Sequence, residues 1–201
     1  MAGAAALGDV LATAGQARRA ETAPGAATAP PFVARGAPGA FHAALKPLQG
    51  EWRVEKEIYI AVGSPRAPAK SSGMITQRSW FGGGRHLLDT TEGSLAGSSY
   101  YRLGVLGFSN VDGCYEWVTF DAMNANMMLY RGTRLEQPSR HITLTGVFTD
   151  QGLLGEEFAG KPIPMRTDID INNEDHHSIA LYFTPPGQAE LLIDRSRYFR
   201  L

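Results

Sequence analysis

The sequence predicts an all-β fold: about ten antiparallel strands in an up-and-down β-barrel, with a short N-terminal helical turn capping one end. Three observations carry that prediction. From Gly50 onward, apolar and polar residues alternate in runs of strand length. Clusters of Gly, Pro, Asn and Asp separate those runs at hairpin spacing. No long amphipathic stretch is available to cover a sheet, so closure is the economical way to remove its edges.

The first part of the chain has a different composition. Residues 1–39 are rich in Ala, Gly and Pro. Ala2 to Ala20 carries only Leu7, Val10 and Leu11 as large apolar residues, and Glu21 to Gly39 has the composition of a linker. The expected organisation is a flexible tail over 1–39 and a barrel domain over 40–201. A secretory signal is the competing reading of the tail. Its start lacks a positive charge, and Asp9 interrupts a run of small rather than strongly apolar residues. The expected location is therefore cytoplasmic, with export as the alternative if the segment is a degenerate signal.

Phe41 to Pro47 reads as a helical turn that Pro47 stops, placed to cover one mouth of the barrel. The expected strands follow in order. Strand one is Glu51 to Val62, with Trp52, Val54, Ile58 and Ile60 on one face and Lys56 interrupting it. Strand two is Ser72 to Phe81, returning through Gly82-Gly83-Gly84 into strand three, Arg85 to Glu92. A turn is expected over Gly93 to Gly97. Strands four and five form the hairpin from Ser98 to Ala122, turning at Ser109 to Gly113. Strand six is Asn126 to Leu135, strand seven His141 to Thr149, strand eight Ile163 to Ile171, strand nine His176 to Thr184, and strand ten Ala189 to Phe199. A ten-stranded barrel should leave more internal room than an eight-stranded one, which points to an internal pocket.

Several function classes are excluded by bulk properties. The formal net charge is −1 with no long run of one sign, so a charge field for nucleic acid or an anionic membrane is missing. No apolar run approaches the roughly 20 residues of a membrane-spanning helix. The single Cys114 allows no intramolecular disulfide and no cysteine-based zinc site.

The residues Phe41-His42 through Leu45, Leu48, Gly50-Glu51-Trp52, Trp80-Phe81-Gly82-Gly83-Gly84-Arg85, Gly104 to Asn110, Tyr115, Asp121 and Asp175-His176-His177 resemble the domain of unknown function 1579 family. The resemblance covers about residues 40–201. It implies a lipocalin-like, calycin-type barrel, and it implies no particular activity. The chain departs from the family pattern at Phe108-Ser109, where Tyr-Asp is usual, and at Thr119, where Trp is usual.

Candidate site residues follow from strand parity. If Trp117 points inward, so do Tyr115, Thr119 and Asp121; if Met74 does, so do Thr76, Arg78 and Trp80. An Arg and an Asp inside a barrel must pair or meet a ligand, so Arg78 is expected to face Asp121 or a bound acid. Trp80 is expected at a rim, next to the triple-Gly turn. His86, Tyr101 and Met127 complete the expected ligand-binding set, Met127 through the adaptable cluster Met123, Met127 and Met128. The five histidines lack metal-ligand spacing, so no metal is expected. His86 or His177 could serve as a lone haem ligand, but nothing else supports one and no cofactor is expected. The expected function is binding of a small, mostly apolar molecule inside the barrel, with a homodimer left open. The alternative is a barrel enzyme (isomerase, cyclase or hydrolase) acting on a small hydrophobic substrate, with Asp121, Arg78 or His86 as acid, base or anchor.

Overall fold

The structure, a computed structural model, describes residues 29–201, so most of the expected tail lies outside the described residues. Pro31–Leu201 form one compact unit. Two short helices, α1 (Pro31–Arg35) and α2 (Ala40–Ala44), and a 3-10 turn over Lys46–Leu48 precede ten strands. These are β1 (Gly50–Ile58), β2 (Ala69–Phe81), β3 (His86–Leu95), β4 (Ser98–Ser109) and β5 (Cys114–Asp121). Then come β6 (Met128–Gly132), β7 (His141–Thr149), β8 (Pro162–Ile171), β9 (His176–Phe183) and β10 (Leu191–Arg200). Each strand pairs antiparallel with the next, and β1 pairs with β10 from Trp52↔Arg200 to Ile58↔Asp194. The barrel is therefore closed and up-and-down, as the hairpin grammar predicts.

Differences from the expected boundaries have local causes. β1 ends at Ile58 because the chain turns away at Ala61, whose φ of 55° is left-handed. β3 runs on through Gly93, expected in a turn. A Cβ on Gly93 would stand 2.6 Å from the Met74 Cα, so glycine lets β2 and β3 stay close where their register shifts. Pro47 does not stop a helix. It lies within the 3-10 turn, near its start, where a missing N–H costs nothing. β6 is shorter than expected, pairing with β7 only from Tyr130 to Gly132.

One mouth is plugged. The Trp52 indole donates to the Leu48 carbonyl at 3.0 Å, and the Tyr115 hydroxyl donates to the Phe41 carbonyl at 3.0 Å. The Phe41 ring stacks on Phe108 with centroids 4.0 Å apart. Arg200 clamps the plug from outside, donating to the Gln49 and Pro47 carbonyls at 3.0 and 2.9 Å. Leu45 and Leu48 are buried beneath it. The opposite mouth carries the longer loops, including 150–161, where Asp150 accepts from the Leu153 and Leu154 amides at 3.0 and 3.2 Å.

Because Leu45 is fully buried, Leu45→Ala should cost about 2–5 kcal/mol of unfolding free energy. Phe32→Ala on exposed α1 should stay within about 0.5 kcal/mol. Urea titration of both variants checks this, and equal effects would show that the plug is not part of the core.

Candidate functional site

Three cations and three carboxylates sit on inward-facing positions of the barrel strands. The middle of the barrel is organised by Asp89 on β3. Its register partner on β2 is Arg78, and Arg78 Nε donates to Asp89 Oδ2 at 2.5 Å. Arg102 on β4 donates from Nη2 to Asp89 Oδ1 at 2.9 Å and to the Tyr198 hydroxyl at 3.3 Å. Arg78 Nη1 meets His177 Nε2 at 2.6 Å. The Arg78 guanidinium also lies 4.5 Å over the Tyr198 ring, which itself stacks on His177. Thr76 and Thr91 share a 2.6 Å hydrogen bond beside this belt.

The chemistry of these groups fixes their protonation. A guanidinium can only donate, so His177 Nε2 accepts and the ring proton resides on Nδ1. Burial, reinforced by the Arg78 charge, pushes the His177 pKa far below its ordinary 6.5, so the ring stays neutral. Burial opposes the charge on Asp89, but Arg102 and Arg78 outweigh it and hold the carboxyl below its usual 3.8. Arg78 Nη2 and His177 Nδ1 have no hydrogen-bond partner among the described residues.

Toward the loop mouth, buried Lys56 pairs with Asp194 at 2.7 Å. Burial works against the ammonium, yet Asp194 more than compensates and raises the Lys56 pKa. This pair floors a narrow, partly open cavity of about 40 Å³. Ile58, Met128, Phe148, Leu181, Phe183 and Ile193 wall it, and Leu153 and Met123 close it from the loops. Tyr100, Asp121 and Asn124 supply its remaining polar lining. Burial lifts the Tyr100 phenol to about 12, so it keeps its proton. Much of the room expected of ten strands is instead filled by Trp52, Tyr115, Trp117, Tyr130 and Tyr198, all buried.

The expected site residues do not converge. Arg78 is inward, but its partner is Asp89 rather than Asp121. Asp121 ends β5 and accepts the Met123 and Asn124 amides at 2.8 and 3.0 Å, an Asx turn that consumes its Oδ1. Asp121 alone of the set lines the loop-end cavity. Tyr115 is committed to the plug, and Trp117 stacks on Tyr130 with centroids 5.3 Å apart. Trp80 is partly buried at the plugged rim, beside His42 and Gly84. His86 and Tyr101 are exposed on the outer face, because Leu87 and Arg102 point in and neighbours in a strand point oppositely, and Met127 is exposed in the loop just before β6. His86 borders an open depression of about 730 Å³ on the outer wall, with Val105, Val118 and Leu129. His177 is inside the belt with Nε2 already engaged by Arg78, which removes the lone pair a haem iron would take there.

Sequence reasoning missed Asp89, Arg102, Asp194, Tyr100 and Asn124. Lys56 did leave a signal: a lysine breaking an otherwise apolar face of β1 must have a buried counter-charge.

The model of a family described as "Protein of unknown function (DUF1579)" matches residues 37–200. A search of curated proteins finds no match.

The neutral His177 carries a pH signature. Unfolded, it takes a proton below its ordinary 6.5; folded, it does not, so stability falls as pH drops below that value. His177→Gln keeps an acceptor for Arg78 but removes the titration. Between pH 6.5 and 4.5 its unfolding free energy should fall less steeply than the native chain's, by up to about 1.4 kcal/mol per pH unit. His42, also held below 6.5 by burial, remains in both chains and sets the residual slope. Parallel slopes in urea titrations would show that His177 is protonated in the fold.

Proposed function

Since the chain belongs to the family described as protein of unknown function DUF1579, whose description assigns no activity, we propose from geometry that the barrel binds a small, mostly apolar molecule in its loop-end cavity. The carrying observation is the cavity itself: it is recessed between strand ends and loops, its walls are aliphatic and aromatic, and a few polar groups gather on its floor and rim. The opposite mouth is shut by buried plug residues, so access runs past the loops that hold Leu153 and Met123.

At about 40 Å³ the cavity has room for a few waters at most. A ligand of several carbons enters by displacing side chains. Leu153 and Met123 are only partly buried, and methionine repacks readily, which suits them to that movement. The catalytic alternative has less support. Arg78 is held by Asp89, His177 and Tyr198, and Asp121 Oδ1 by three local donors, so neither is poised to exchange protons.

The neutral fluorophore N-phenyl-1-naphthylamine should bind saturably, one per chain. Leu153→Asp sets an extra carboxylate in the lining and should weaken that binding at least about tenfold while the fold, read by circular dichroism, persists. Absence of saturable binding to the native chain, together with no small molecule in native mass spectra of freshly purified protein, would refute this function.

A further inference from the structure

We propose, resting on the cavity reading above, that the bound molecule is uncharged and presents one hydrogen-bond donor, which Asn124 Oδ1 accepts. Two independent observations lead there. The first is charge balance. Lys56, Arg78 and Arg102 face Asp89, Asp194 and Asp121 inside the barrel, three against three. Arg78 and Arg102 share Asp89, and Lys56 holds Asp194. Arg102 and Asp121 are register partners on β4 and β5, so the remaining positive and negative charges stand opposite each other on one rung. A charged ligand would enter an interior whose ions already cancel, and would have to shed its water without gaining a counter-ion.

The second observation is an orphan acceptor. Asn124 lines the cavity, and its Oδ1 is buried with no hydrogen-bond partner among the described residues. The amide cannot be turned to cure this. Asn124 Nδ2 donates to Asp121 Oδ1 at 3.2 Å, and exchanging the two ends would set an amide oxygen against a carboxylate oxygen. A buried carbonyl oxygen is satisfied by a donor, not by another acceptor. An alcohol or phenol hydroxyl, or an amide N–H, on an apolar body fits this lining. An ether, ester or ketone of the same shape leaves the acceptor unmet.

Calorimetric titration of the full chain with four matched probes tests the proposal: 1-hexanol, its isomer methyl pentyl ether, hexanoate and hexylammonium. Hexanol should bind about tenfold tighter than the ether, the effect of one hydrogen bond, and both should outbind the two ions. In Asn124→Ala the ratio of alcohol to ether affinity should fall to about one, because the acceptor that distinguishes them is gone. Equal affinity for alcohol and ether in the native chain would overturn the proposal, as would either ion matching the alcohol. If none of the four binds, the cavity reading itself falls, a result distinct from a wrong choice of ligand chemistry.

Discussion

A single carboxylate, Asp89, holding two guanidiniums inside a barrel is the constraint on which the rest depends. Stripping water from ions is costly, and a buried guanidinium with no counter-charge would destabilise the fold by several kcal/mol. Asp89 meets that cost for Arg78 and Arg102 together, with Tyr198 and His177 taking further donors and ring faces. An apolar replacement of the whole group could be equally stable. What the ions add is register: a slip of one residue in β2, β3 or β4 would turn a charge outward and strand its partners.

The belt separates two unlike halves. On one side the plug drives Phe41, Leu45 and Leu48 against Trp52, Phe108 and Tyr115, and large aromatic rings fill the interior there. On the other, β-strand ends contribute Ile58, Met128, Phe148, Leu181, Phe183 and Ile193, and the closure is made by loops rather than by strands. A void appears where packing is left to loops, because loop backbone must satisfy itself through local devices such as the Asp150 and Asp121 turns. That asymmetry gives the barrel one mouth closed by buried helix and turn residues and one closed by loops.

The fold was legible because its signals are local. Alternation along β7 and β8 and the Pro and Gly turns between strands specify an antiparallel meander without knowledge of any distant contact. The site was less legible, for two reasons. Parity within a strand is easy to see but its absolute phase is not: Tyr101 is expected to line the pocket, whereas Arg102 is the residue that points in. Pairing across strands is also hidden: Arg78 has Asp89 as a rung neighbour, whereas Asp121 is spent on its own turn. The size of the cavity depends on how five large aromatic rings share the interior, which no linear pattern encodes.

The most direct measurement is a double-mutant cycle on Arg78 and Asp89, using Arg78→Met, Asp89→Leu and the double variant in urea unfolding. A buried, hydrogen-bonded pair predicts single losses of about 3–5 kcal/mol each and a coupling of about 2–3 kcal/mol, so that the double variant loses clearly less than the sum. Losses that add to within about 0.5 kcal/mol would contradict the account, because they would mean that the two side chains do not share a buried site.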